Sequence, residues 1–238
     1  MGDDYYNFHV YVGERDAPVT RARVLELLGY SADCEFVVPR ADRDKLPACS
    51  EEIAEEDQLA AVGPPGRWIV VYALAEQDMR ADFASTLSQA GPTVCISMDD
   101  SAVLHLRLFR DGILVDRFGM RKSVLSEWSN EAERLRYVGQ PTLWSDLLLD
   151  GPDVTALAKA WYSNLGAWKK IGKVARLMGW NPDLCDLGYT IDYDGIPVYW
   201  RSHLQPTMRL PEEKGPPGPL ADSYVSTEGF SEFRYKLS

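Results

Sequence analysis

The clearest alternation of apolar and polar residues lies between positions 103 and 118, on both sides of an Arg-Asp-Gly turn. A period of two residues predicts β-strands, and Gly112 supplies the positive φ that a tight turn needs. We therefore expect residues 103–109 and 113–118 to pair as a hairpin. One face of the first strand carries Leu104, Leu106 and Leu108. On the return strand the alternation groups Leu114, Asp116 and Phe118 on one face.

Apolar patterns on the N-terminal side of this hairpin predict the other elements of the first half. Short apolar runs predict strands at 7–12, 34–38, 67–74 and 93–98. Helical spacing predicts helices at 17–29, 50–62 and 76–91. From residue 67 onward the order is strand, helix, strand, strand, strand, which is typical of an α+β fold. We expect a mixed sheet with an antiparallel hairpin meander.

The second half has mainly helical patterns. Helices are predicted at 142–150, with Thr142 as its cap, at 153–165, with Asp153 as its cap, and at 167–178. A short hairpin is expected at 187–200. The tail from residue 204 is rich in proline and glycine, but its aromatic residues are costly to leave in water. We expect it to lie extended over its own domain or over a partner.

These patterns divide the chain into three units. They are an α+β sheet unit at 1–119, a helical unit at 120–203 that ends in the short hairpin, and the tail at 204–238.

Charge and composition narrow the kinds of partner. The net charge of -11 argues against direct binding of nucleic acid, which needs a cationic surface. No apolar run is long enough to cross a membrane, and the acidic N-terminus does not resemble a signal peptide. The four cysteines form no CxxC pair, so reduced structural thiols are expected. We therefore expect a cytoplasmic protein that binds no membrane.

The sequence carries no recognisable catalytic or cofactor motif. Its three histidines lack the spacing of metal ligands, and it has no GxxxxGK[ST], GxGxxG or GxSxG segment. His105 lies in a predicted strand, and we interpret it as an ordinary residue of that strand and not as a catalytic residue. The pair Asp192 and Asp194 offers a weaker alternative, a cation site on one strand face. We predict a protein with no catalytic residue, metal or cofactor.

Two charged segments are candidate partner-binding sites. The first is an acidic segment beside a Pro/Gly-rich loop, and it would attract a basic protein to this surface. Its residues are Glu51, Glu52, Glu55, Glu56 and Asp57. The alternative is a basic helical segment whose lysines we expect to point outward, namely Lys169, Lys170 and Lys173. The basic segment would prefer an acidic partner or a second copy of the chain.

A family resemblance agrees with this interpretation. The segment "VARLMGWNPDLCDLGYTIDYDGIPVYW" (174–200) has an apolar helix, an LGY triplet, an acidic stretch and a Gly-x-x-Val-Tyr pattern. It is similar to the SUKH superfamily, which contains bacterial immunity proteins and accessory proteins of large DNA viruses. The resemblance implies an α+β, non-catalytic protein that binds another protein. The alternatives are a structural, virion-associated scaffold and an enzyme of unrecognised type.

Overall fold

A computed structural model of the chain describes nine ranges of residues. They are 5–31, 59–74, 80–99, 103–120, 137–149, 153–185, 187–191, 197–201 and 229–235. The strands are β1 (Tyr5–Tyr11), β2 (Leu59–Val62), β3 (Trp68–Leu74), β4 (Thr93–Asp99), β5 (Val103–Arg110), β6 (Ile113–Gly119), β7 (Leu187–Ile191), β8 (Pro197–Arg201) and β9 (Ser231–Arg234). The helices are α1 (Ala17–Leu27), α2 (Arg80–Leu87), a 3-10 helix (Pro141–Leu147), α3 (Val154–Tyr162), α4 (Ala167–Met178) and the short α5 (Pro182–Cys185).

Seven of the described strands form one sheet in the order β6-β5-β4-β1-β3-β2-β9, and β7 and β8 form a separate hairpin. The α+β class is therefore confirmed. Every described pairing is antiparallel, whereas we expected a mixed sheet. The reason is that β3, α2 and β4 do form a crossover between parallel strands, but β1 lies between them and pairs with both. No parallel neighbours remain within the described sheet.

The sheet has an apolar core on each face. On one face, α1 and α2 pack with the sheet in a cluster that contains Phe8, Val24, Phe83 and Phe109. On the other face, the 3-10 helix, α3, α4 and α5 cover the sheet in a cluster that contains Leu106, Trp144, Trp161 and Val174. The second cluster joins the residues of the proposed sheet unit to those of the proposed helical unit. The division of the chain at residues 119 and 203 stays a prediction.

Two local expectations were wrong. Residues 59–62, the end of a predicted helix, form β2, because this buried apolar segment lies between β3 and β9 in the sheet. The helix predicted from Thr142 is a 3-10 helix that begins at Pro141, and no side chain caps it. The backbone N–H of Gln140, at this end of the helix, donates instead to the Asp116 carboxylate. The strand predicted at 34–38 lies outside the described residues.

The C-terminal tail docks on its own sheet where it is described. β9 pairs with β2 in antiparallel register, with Phe233 opposite Ala60. Phe233 and Tyr235 are buried in the cluster beneath α1 and α2. An extended arm over its own domain is therefore confirmed for residues 229–235, while residues 204–228 lie outside the described ranges.

Candidate functional site

The described sheet ends in two edge strands. One is β9, whose inner side pairs with β2 along its whole length. At the other edge lies β6, whose outer side is bridged, among the described residues, only where Phe118 meets Val138. An uncovered strand edge presents backbone N–H and C=O groups that can pair with another chain. Within the described residues both β9 and β6 offer such an edge, and a groove lies beside β6.

A tight turn fixes the start of β6. Asp111 and Gly112 both have positive φ, 50° and 80°, as a two-residue hairpin turn requires. Ser85 of α2 and Ser88, the residue after α2, hold the turn. Ser85 donates to the Gly112 carbonyl at 2.6 Å, and the Gly112 amide donates to Ser88 Oγ at 2.7 Å. The hairpin expected at this position is confirmed, with Ile113 opposite Arg110.

A β-bulge then changes which residues of β6 share a face. Leu114 pairs with Phe109, but the next pair is Asp116 with Leu108, so Val115 is an extra residue. Our expectation that Leu114 shares a face with Asp116 is therefore wrong. Leu114 packs on the α1 and α2 side, and Asp116 lies on the side of the 3-10 helix and α3.

Beside this strand edge lies a groove of about 510 Å³. Its walls come from β6 and from the segment before the 3-10 helix, and they are lined by Leu114, Val115, Asp116, Arg117, Val138, Gly139 and Gln140. Gly139 has a φ of 75°, and a Cβ atom there would lie 2.7 Å from the Trp161 ring. Only glycine lets this segment approach Trp161 so closely, which sets the position of the second wall.

Asp116 is the charged group built into the groove. Its side chain is only 7 % exposed. One carboxylate oxygen, Oδ2, accepts two hydrogen bonds. One comes from Trp144 Nε1 at 2.6 Å and the other from the backbone N–H of Gln140 at 2.8 Å. The other oxygen, Oδ1, accepts no hydrogen bond from any residue in the described ranges. Burial, and then the charge of Asp116, raises the pKa of Tyr162 above its ordinary value.

Exposed apolar side chains surround the groove. Ile113 is 67 % exposed, Tyr162 is 54 % exposed and Val138 is 46 % exposed. The Tyr162 hydroxyl donates to the carbonyls of Val138 and Gly139, so it lies against the groove wall. Apolar side chains grouped at the surface are more typical of a binding site than isolated ones.

On the opposite face of the same edge, two arginines lie side by side. Arg107 and Arg117 are directly opposite each other on β5 and β6. Arg117 lies over the Tyr137 ring at 5.5 Å from its centroid. Like charges at directly opposed positions repel, so an anionic group near this pair would lower the electrostatic energy.

The structure separates the three lysines of the predicted basic site. Lys169 and Lys173 are exposed on α4, but Lys170 is only 2 % exposed, so our expectation that it points outward is wrong. Its ammonium group donates to the carbonyls of Ala160, Trp161 and Ser163 at the end of α3. Cations are stabilised at helix C-termini, and here the lysine ties α4 to α3. The predicted acidic site, Glu51 to Asp57, lies outside the described residues, as do Asp192 and Asp194.

His9 belongs to β1, the strand between β3 and β4, and its side chain is fully buried. Its Nε2 lies 3.0 Å from Asn7 Oδ1. Asn7 in turn donates to the Cys185 carbonyl. Burial lowers the pKa of His9 to about 3, so the imidazole is neutral. No group of three or more potential metal-binding side chains occurs within the described ranges.

Sequence reasoning did not identify Asp116 as a site residue. The signal was present, because a carboxylate occupied an apolar face position between Leu114 and Phe118. Its hydrogen-bond donors come from residues 24 and 28 positions further along the chain, and no local pattern links them to it.

No protein-family model matches the chain, and neither the curated proteins nor the solved structures gave a match. The resemblance to the SUKH superfamily therefore stays a prediction. Within the described ranges, every helix is too short or too polar to cross a bilayer.

Proposed function

We propose that this protein is a non-enzymatic protein-binding protein that receives its partner at the β6 edge. The supporting observation is the groove beside β6. Both β6 and β9 are edge strands of the described sheet, and beside β6 a groove of about 510 Å³ adjoins the strand edge. Pairing of an extended segment with a sheet edge is a common mode of recognition.

The exposed side chains at this edge favour a protein over a small molecule. Ile113, Val138 and Tyr162 extend the apolar surface beyond the groove, and they would be covered by the flanks of a bound segment. Removing such apolar area from water stabilises a complex. An inhibitor that covers another protein, as the SUKH resemblance implies, is one form of this function.

Net charge favours a basic partner. At -11, the chain attracts cationic proteins over a distance of about 10 Å at moderate ionic strength. On this proposal, the acidic residues Glu51, Glu52, Glu55, Glu56 and Asp57 accelerate the encounter, and the β6 edge makes the specific contact. Association should therefore slow as salt is added.

Position-specific photo-crosslinking tests the proposal. A photoreactive amino acid replaces Ile113 or Val138, and a matched control carries it at Val19, which is also exposed, at 65 %, but lies on α1. In extract of the source cells, we expect one protein to crosslink from positions 113 and 138 and not from position 19. The purified partner should then slow hydrogen exchange at the amides of residues 113–117. Equal crosslinking at all three positions, or unchanged exchange, would contradict the proposal.

A further inference from the structure

The groove contains a carboxylate that the chain satisfies only in part. Asp116 is nearly buried, and two donors hold its Oδ2. Its Oδ1 has no donor and its carboxylate has no cationic partner among the described residues. Oδ1 is open to the groove, so a bound cation can reach it directly and make a charge-assisted hydrogen bond. A bound ligand that supplies cationic N–H groups at Oδ1 would therefore be favoured.

The arginines nearest to Asp116 along the chain are engaged elsewhere. Arg117 extends from the opposite face of β6 toward the Tyr137 ring. Arg110 binds both carboxylate oxygens of Asp146, at 2.7 and 3.0 Å. The described residues thus provide the acceptor at Asp116 without a cation for it.

The groove walls match a guanidinium group better than an ammonium group. Val115 and Val138 provide apolar surface in the groove on the side of Asp116. A guanidinium is planar, weakly hydrated and rich in N–H donors, whereas an ammonium is compact and strongly hydrated. The groove, at about 510 Å³, also has room for more than one side chain.

We propose that this groove is a recognition site for an arginine side chain, presented by an extended segment of a protein partner that pairs with β6. The inference rests on the proposed function and specifies the chemistry of the partner. Val138 lies beside Phe118 and Gln140 beside Asp116, so the partner segment would pair with the start of β6. Its arginine would reach Asp116 Oδ1 along the groove, on the face of the 3-10 helix.

The same geometry specifies the residue beside that arginine. Adjacent residues of a strand point to opposite faces, so the neighbours of the partner arginine lie on the face of Arg107 and Arg117. An aspartate or glutamate there would relieve the repulsion between the two arginines. The preferred segment is therefore an arginine directly followed or preceded by an acidic residue, between β-forming residues.

A second copy of this chain is a poorer occupant, although its own β6 contains adjacent Asp116 and Arg117. Pairing of two β6 edges about a two-fold axis keeps each face of the sheet continuous. Asp116 would then face a residue from its own side of the sheet, and Arg117 lies on the other side.

Two synthetic peptides test the inference. One is acetyl-Thr-Val-Arg-Glu-Val-Thr-amide, and the other carries citrulline, a neutral isostere, in place of arginine. Binding to the full chain is followed through backbone amide chemical shifts. We expect the shifts to centre on residues 114–117 and 138–140, with an affinity for the citrulline peptide about tenfold lower, equivalent to about 1.4 kcal/mol.

Two protein variants locate the effect. Asp116→Asn should bring the affinities for the two peptides to within about twofold of each other, whereas Asp146→Asn should leave their ratio unchanged. Asp146 is a suitable control because its side chain is exposed and already paired with Arg110. An asparagine oxygen can still accept from Trp144 and Gln140, so Asp116→Asn should retain the fold, which a circular dichroism spectrum checks.

The comparison of the two peptides on the parent protein does not depend on any variant. Equal affinity of the parent for both peptides, or shifts centred elsewhere, would overturn the inference. If the crosslinked partner still protects residues 113–117 in that case, the proposed function stands and only the arginine preference is wrong. If neither the peptides nor a crosslinked partner reach the β6 edge, both proposals are wrong.

Discussion

Three buried polar side chains show how single residues connect distant elements. Asp116 joins β6 to the 3-10 helix through Trp144. Lys170 joins α4 to the end of α3, and His9 links β1 to α5 through Asn7 and the Cys185 carbonyl. Each side chain exchanges hydrogen bonds with water for hydrogen bonds with protein. Loss of one partner leaves the other unsatisfied, which costs about 1–3 kcal/mol.

The pH dependence of stability should report the burial of His9. Burial lowers the pKa of His9 from 6.5 to about 3, so unfolding takes up a proton between these values. The free energy of unfolding should therefore fall as the pH falls below 6.5, by at most about 1.4 kcal/mol per pH unit for this one group. Urea unfolding at pH 7 and pH 5 measures the fall.

The variant His9→Gln should lose this contribution, so that its stability changes less between the two pH values than that of the parent. His105→Gln is the control, because it makes the same substitution at the other described histidine, which lies on β5. A pH dependence that is the same in the parent and in His9→Gln would show that His9 is not the titrating group.

At the scale of elements, glycines at three sites decide how strands and helices end. Gly29 and Gly179 adopt positive φ after α1 and α4, a conformation that glycine permits at the ends of helices. In each case the next residue donates five positions back, Tyr30 to Leu25 and Trp180 to Ala175. Gly112 plays the corresponding part in the β5–β6 turn. The turn sets the register of β6 and thus the position of the groove.

Gly112→Val should destabilise the protein by about 1–3 kcal/mol, because a β-branched residue is strained at a φ of 80°. An added Cβ would meet nothing closer than Ser85 Oγ at 3.6 Å, so the expected cost comes from the backbone and not from a clash. Chemical denaturation measures it.

Gly172→Ala is the matched control for this substitution. Gly172 lies inside α4, and an added Cβ there would meet no atom within 4 Å. This change should stabilise the protein by about 0.5–1 kcal/mol, because alanine favours a helix. A loss of stability in both variants would argue against a specific role for the conformation of Gly112.

At the scale of the whole molecule, the described sheet depends on both ends of the chain. β1, near the N-terminus, lies at its centre, and β9, near the C-terminus, forms one edge. Between β3 and β9 stands the short β2, which carries buried residues on both faces. The C-terminal strand is thus part of the core, and β9 takes the place of β2 as the edge strand on that side of the described sheet.

Truncation after residue 228 should therefore lower the free energy of unfolding by several kcal/mol. Burial of each large apolar side chain contributes about 1.5–3 kcal/mol, and both Phe233 and Tyr235 would be lost. Removal of residues 236–238 alone is the control, and it should change stability far less. A synthetic peptide of residues 229–238, added to the truncated protein, should restore part of the loss. Unchanged stability of the truncated protein would show that β9 is dispensable.

The sequence by itself determined those features that depend on neighbouring residues. The β5–β6 hairpin, the crossover through α2, the Asp153 cap of α3 and the helix stops at Gly29 and Gly179 all follow from local period and backbone preference. The α+β class follows from the order of these elements. Local rules succeed here because each element satisfies its own backbone hydrogen bonds or those of its immediate neighbour.

Only the tertiary structure decided which residues meet across the chain. The position of β1 between β3 and β4 made the described sheet antiparallel, and the bulge at Val115 put Asp116 beside Trp144. Lysine is a residue type typical of protein surfaces, yet Lys170 is buried because carbonyls at the end of α3 accept hydrogen bonds from its ammonium group. Burial depends on partners that are remote in sequence, because a charged group can leave water only where the fold brings hydrogen-bonding groups to it.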